Sequence, residues 1–156
     1  MQLQIISIGQ KMPQWVDSAC ADYQKRLPRE LPVQWTTLPL AQRKSRDSSD
    51  KFKRQEAEQI RQKILPGSFN LALDEHGKRW NSQDWAKQLE HWLQDYPRVN
   101  FIIGGPDGLS PELLKSCNQS VSFGAMTMPH AMVRVVLIEQ IYRAWSITKG
   151  HPYHRE

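Results

Sequence analysis

Short apolar runs alternate along this chain with segments whose apolar residues recur every three to four positions. Leu3 to Gly9 is rich in isoleucine, closes on glycine and predicts a buried strand. After Pro13, Trp15, Ala19 and Tyr23 fall on one helical stripe, and Pro28 and Pro32 end that helix. Val33 to Pro39, β-branched and aromatic, predicts a second strand. Phe69 to Leu73 predicts a third, stopped by Asp74 and by His76-Gly77. Ser82 is placed to cap a helix that carries Trp85, Leu89 and Trp92 on one face. Val99 to Ile103 predicts the fourth strand. Ser110 as cap, Pro111 at the first helical position and Glu112 in the first turn then start another helix. Ser120 to Phe123 is a short fifth strand, and the last helix runs roughly from His130 to Lys149, ended by Gly150 and Pro152.

Strands that are apolar throughout, interleaved with helices, mark a mainly parallel sheet covered on both faces. The fold class is therefore α/β, in one domain over residues 1–156. The last helix is apolar on two sides. Val133, Val136, Leu137, Ile141, Ala144 and Thr148 form one stripe; Ala131, Val135, Ile138, Tyr142 and Trp145 form another. Two apolar sides call for two covers, and the expectation is that the sheet supplies one and a second copy of the chain the other. A homodimer is expected ahead of a monomer.

Composition narrows the class without naming a function. With 39% hydrophobic and 24% charged residues the chain is an ordinary globular one, and no apolar run approaches the roughly 18 to 20 residues that span a bilayer. Met1 to Trp15 has no basic n-region and no long apolar core, so no signal peptide and no membrane partner are expected. Cys20 and Cys117 lie far apart and form no CxxC, which argues against a disulfide scaffold or a zinc site and makes cytoplasm the default. The net charge of +5 permits a polyanionic partner without requiring one. The basic run Arg43 to Arg54 reads either as a solvated loop and helix start or as a phosphate-contacting patch.

The segment NFIIGGPDGLSPELL, Asn100 to Leu114, runs from a strand through glycines into a helix. It lacks the lysine of a phosphate loop, and it has neither the spacing nor the early position of a dinucleotide fingerprint. A tight strand-to-helix turn remains, whose amides face an uncharged or zwitterionic ligand or none. A second cluster follows: Ser122 to Pro129 holds Gly124 and two methionines, and leads into His130 and Arg134. Strand ends at Leu73, Gly104 and Phe123 are expected to converge at the carboxyl edge of the sheet, where open α/β sheets bind ligands.

The pattern IIGGPDGLS, then MTMPHAMVRVVLIEQIYRAWSITKGHPYHRE, resembles the RlmH family, the ribosomal RNA large subunit methyltransferases H of the SPOUT superfamily. IISIGQKMPQWV and LDEHGKRWNSQDWA are similar to that family too, so the resemblance covers the whole chain. It implies a SPOUT-type sheet with a C-terminal trefoil knot over roughly 100–156. It implies a homodimer that methylates N3 of a pseudouridine in helix 69 of 23S rRNA, in the assembled ribosome, using S-adenosylmethionine. Carried over motif by motif, the cofactor would touch Leu73, Gly104, Phe123, Gly124, Ala125, Met126, Thr127 and Met128, with Gly105 letting backbone pass close by. Gly124 departs from the family, which often has serine there, so a side-chain contact at that position would be lost.

In the tail HPYHRE, Tyr153 is suited to stack, His154 to move a proton and Arg155 to bind phosphate, the catalytic assignment the resemblance favours. His130 and Arg134 are candidates for substrate binding, His130 equally for a structural role and Arg134 equally for the cofactor carboxylate. Arg143 pairs with Glu139 at i, i+4 and reads as structural. No metal is expected: His151 and His154 have Pro152 between them and no third ligand. The two cysteines, on helices, read as packing residues rather than nucleophiles. The alternative function is a basic, dimeric ribosome- or RNA-binding protein without catalysis.

Overall fold

The computed structural model describes residues 1–9, 11–42 and 48–155. Five strands and five helices alternate: β1 (Gln2–Ile8), α1 (Gln14–Arg26), β2 (Val33–Leu38), α2 (Ser49–Arg61), β3 (Phe69–Arg79), α3 (Ser82–Asp95), β4 (Arg98–Ile103), α4 (Pro111–Ser116), β5 (Gln119–Ser122) and α5 (His130–Thr148). The strands form one sheet in the order β2-β1-β4-β3-β5, and every pairing is parallel.

Alternation along the strands sorts the two faces. Leu3, Ile5, Leu71, Val99 and Phe101 join a core with Val16 of α1, Trp85 and Trp92 of α3, and Leu137 and Ile141 of α5. Ile6, Ile8, Ala72 and Ile102 point the other way, against Ala57 and Ile60 of α2 and Leu113 of α4. Both faces are thus covered, which is why the strands are apolar throughout. The first core is dense in aromatics: Trp85 meets Trp92, Trp80, Phe101 and Phe123 with ring centroids 5.2–6.5 Å apart. Truncating a ring such as Trp92 in a core of this kind costs about 3–5 kcal/mol.

Several local expectations shift. On α1 the buried residues are Val16 and Cys20, while Trp15 is 52% exposed. Adjacent stripes share the same spacing, and the sheet engages the one beside Trp15. The basic run from Arg43 lies partly outside the described residues; its remainder opens α2, capped by Ser48, whose side chain accepts from the Lys51 amide. The body of α2 escapes an apolar pattern because a glutamate, Glu56, lies on its buried face with Phe52, Ala57 and Ile60. Asn81, not Ser82, caps α3, in a reciprocal capping box with Asp84. Both sides of α5 find cover within the chain. Leu137, Ile138, Ile141, Tyr142 and Ala144 are buried, and Ala131, Val133, Val135 and Trp145 pack partly against the same core. The apolarity of α5 therefore does not by itself demand a second copy.

The largest departure is in β3, which continues past Leu73 to Arg79. Leu73 and Lys78 both lie opposite Val121 of β5, so Asp74 to Gly77 leave the ladder and return to it. Gly77 makes the return feasible. A Cβ there would sit 2.6 Å from the Val121 amide nitrogen and 2.8 Å from the Ser120 carbonyl oxygen.

Candidate active site

Because β4, β3 and β5 are neighbours, the chain leaves the sheet at three adjacent points on its carboxyl edge. A cavity of about 680 Å³ opens there. Leu73, Gly104, Gly105, Phe123, Gly124, Met126, Thr127 and Met128 line it, as does His130. The convergence expected of the strand ends is present. Ala125, Arg134, Tyr153, His154 and Arg155 do not line it. The sequence reading missed Asp74, Glu75 and His76 of the β3 excursion, Pro106 to Gly108 of the turn, and Lys53 of α2. A glycine closing the acidic stretch DEHG was the available signal for the excursion.

The turn after β4 has its own reasons for glycine. The Gly108 amide donates to the Gly105 carbonyl at 3.0 Å, and Gly108 has φ +83°, a conformation other residues rarely take. A Cβ on Gly104 would lie 2.9 Å from the Gly108 carbonyl carbon, and one on Gly105 would lie 3.0 Å from Glu56 Oε1. Close packing of the turn on itself therefore excludes a side chain at Gly104, and the side chains of Glu56, Ile8 and Leu40 crowd one at Gly105, whatever occupies the cavity. Glu56 is buried there, its Oε2 accepting from the Ala41 amide at 2.9 Å.

The opposite wall is the segment between β5 and α5. Phe123 anchors it by stacking on Trp85, at 6.0 Å and 21° between planes. The Ser122 hydroxyl accepts from the Gly124 amide at 3.1 Å and donates to the Gly124 carbonyl at 2.9 Å. That closed turn sets Gly124 at φ +128°. A serine in its place would be strained in this conformation, which accounts physically for glycine in this chain. Met126 is 80% exposed at the rim.

His130 opens α5 at the edge of the cavity. Burial lowers its pKa first, the Arg134 guanidinium lowers it further, and a backbone contact with Gly104 pulls it part of the way back. Its neutral form is thereby favoured, and among the described residues its buried Nε2 has no hydrogen-bond partner. Arg134 is buried away from the cavity, one Nη donating to the Gly9 carbonyl. Its Nε has no partner, and burial lowers its pKa, opposed by Cys20 and Asp17.

The tail folds back onto the second half of α5, against Glu139, Tyr142 and Arg143, about 14–20 Å from His130 along the helix. Tyr153 packs edge-on against Tyr142 at 4.6 Å, lies under Arg143 at 4.7 Å, and its hydroxyl meets Glu139 at 3.1 Å. Burial raises the pKa of that phenol first, with hydrogen bonding to Tyr23 and the Glu139 carboxylate adding to it. Arg143 pairs with Glu139 as expected and donates to Nδ1 of His154 at 3.0 Å. Within one chain the three tail candidates and the cavity are therefore separate. Both thiols are pushed up to about 11, chiefly by burial, which disfavours a thiolate nucleophile. Among the described residues no three His, Cys, Asp or Glu side chains gather as a metal site would require, and no helix is long and apolar enough to cross a membrane.

Comparison with known proteins agrees with this architecture. A family model described as predicted SPOUT methyltransferase matches residues 1–154. Ribosomal RNA large subunit methyltransferase H of Hahella chejuensis is 42% identical over 156 residues, covering 100% of both chains. The protein of the same name from Ectopseudomonas mendocina is 41% identical over 155 residues, 99% of this chain and 100% of its own. Among solved structures, a probable methylase family protein from Haemophilus influenzae superposes with a TM-score of 0.56 at 11% identity, over 99% of this chain and 70% of that one, a likeness of fold alone.

Proposed function

The chain belongs to the SPOUT methyltransferase family, and from that premise we propose that it is an S-adenosylmethionine-dependent methyltransferase acting on large-subunit ribosomal RNA. The finer reading is methylation of N3 of a pseudouridine in helix 69 of 23S rRNA, in the assembled ribosome. The observation that carries the proposal is the cavity. Its volume of about 680 Å³ lies within the roughly 300–1,000 Å³ usual for small-molecule and cofactor sites. It is bounded by the glycine turn and the Phe123–Met128 segment, a mixture of apolar side chains and backbone polar groups suited to an adenosine and a methionyl chain.

When bound, S-adenosylmethionine supplies a methyl group already activated on sulfonium, so no covalent enzyme intermediate is called for. The protein's part is placement. Leu73, Gly104, Phe123, Gly124, Met126, Thr127 and Met128 bound the cofactor's space, and Ala125, outside the cavity's lining, would join them only if the loop shifts on binding. Gly105 keeps the turn closed on α2. His130 lines the cavity edge and keeps its proposed role toward the incoming base, which its buried Nε2 would meet once the ring turns outward. Correct orientation of the reacting atoms is worth on the order of 7–11 kcal/mol in model reactions.

Tyr153, His154 and Arg155 keep their proposed role at the RNA, in the cavity of a second copy. The docking of Tyr153 and His154 on Glu139, Tyr142 and Arg143, about 14–20 Å along α5 from His130, keeps them out of their own cavity and is what favours a functional homodimer. The trefoil knot would lie over 100–156. Its phosphate contacts would come from the basic segment that leads into α2, of which Lys53 reaches the cavity.

Two measurements test the proposal. Calorimetry with S-adenosylmethionine should show binding; none at millimolar ligand would leave the non-catalytic RNA-binding alternative. Labelled cofactor should then transfer methyl to 23S rRNA in ribosomes lacking the modification, and label in small-subunit RNA or protein instead would overturn the substrate. For the dimer, a variant lacking residues 151–156 mixed with a cavity variant should recover activity that neither has alone.

A further inference from the structure

The Asp74–Gly77 excursion is unexplained by the fold. A straight strand would pair with β5 without it. Instead β3 departs after Leu73 and is pinned back at Lys78, opposite the same Val121. The pin demands glycine at 77 because backbone of Ser120 and Val121 occupies the side-chain position. All three residues thrown out by the departure, Asp74, Glu75 and His76, line the cavity. The excursion is a built wall of that cavity, and two of its three side chains are carboxylates.

The chemistry of the pair of ligands gives the wall a task. A sulfonium methyl donor and its demethylated product have nearly the same shape. They differ by a methyl group and one positive charge on sulfur. The charge is the larger handle for telling them apart, and in a chain of net charge +5 the general field disfavours the cationic one. Lys53, lining the same cavity, adds to that disfavour. A local negative wall reverses the balance.

We propose that the Asp74–Gly77 excursion makes this cavity prefer the positively charged sulfonium donor over its uncharged thioether product, so that loss of the charge on methyl transfer promotes product release. The proposal rests on the cofactor reading above. Among the described residues Asp74 has no ion pair, whereas Glu75 lies 3.4 Å from the His76 ring and is largely exposed. Asp74 is accordingly the stronger selector.

The test is calorimetric titration of the full-length protein with S-adenosylmethionine and, separately, S-adenosylhomocysteine. Wild type is compared with Asp74→Asn, Glu75→Gln and the double variant, amides that keep the shape and remove the charge. Asp74→Asn is expected to weaken the sulfonium ligand by about three- to tenfold and Glu75→Gln by less, because the Glu75 side chain is 67% exposed, while the thioether is unchanged in both, as loss of one partly screened charge requires. Raising the salt should narrow the wild-type preference and leave that of the double variant nearly constant. Equal weakening of both ligands in a variant with a wild-type melting curve, or no change in either, overturns the proposal alone. A wild-type protein that binds neither ligand overturns it together with the cofactor reading.

Discussion

Gly77→Ala tests whether the β3 excursion is held by steric necessity. The residue is not among the glycines at positive φ, so alanine meets no conformational barrier there. On backbone entropy alone the change would stabilise the chain by about 0.4–1 kcal/mol. The structure predicts the opposite sign. The new methyl would lie 2.6 Å from the Val121 nitrogen, 2.7 Å from the Ser120 carbonyl carbon and 2.8 Å from its oxygen. These are backbone atoms of β5 and cannot swing aside as a side-chain tip would. Relief to an ordinary contact near 3.4 Å needs a local separation of about 0.8 Å, and that breaks the pairings of Lys78 with Val121 and Arg79 with Ser122. Overpacking of this kind costs about 1–3 kcal/mol. For a domain of this size each kcal/mol lowers Tm by about 2–4 °C, so a fall of roughly 2–12 °C is expected. Thermal unfolding followed by circular dichroism measures it, with calorimetry reporting whether the cavity loses affinity as its wall shifts. A variant that melts at or above the wild-type temperature would show that β5 yields freely and that the glycine is not sterically required.

Other outcomes follow from single residues. The folded pKa of His130 is lowered from the ordinary 6.5, so as pH falls through that value the unfolded chain binds a proton before the folded one does. Stability should therefore decline with falling pH between 6.5 and the folded pKa, be unaffected by this group above 6.5, and lose that slope in His130→Asn, as read by urea titrations across the range. Gly124→Ala places a side chain at φ +128° and should cost about 1–3 kcal/mol, shared between lower stability and weaker cofactor binding; unchanged values of both would mean the loop relaxes without penalty. Tyr153→Ala removes the ring between Arg143 and Tyr142 and should release the tail, raising proteolytic cleavage after Gly150 while leaving cofactor affinity intact. Cys20 and Cys117, with thiols pushed up to about 11, should react with a disulfide reagent at pH 8 far more slowly in the native than in the unfolded chain.

The five strands, four of the five helices, the parallel character of the sheet and its carboxyl-edge crevice were legible in the chain, because continuous apolar runs and capped amphipathic segments are local signals. So were eight of the cofactor candidates that now line the cavity, since motif and position carried them. Three things required the tertiary structure, each because it depends on atoms distant in sequence. The role of Gly77 depends on Ser120 and Val121, more than forty residues away. The reason for glycine at Gly105 is Glu56, whose charge also hid the buried face of α2 from any hydrophobic pattern. The cover of α5 by α1, α3 and the sheet removed the need that its two apolar stripes had suggested for an external partner. Periodicity records how apolar a face is; only the packed chain decides which neighbour buries it, and here it also decides that Tyr153 docks on the second half of the helix that His130 opens.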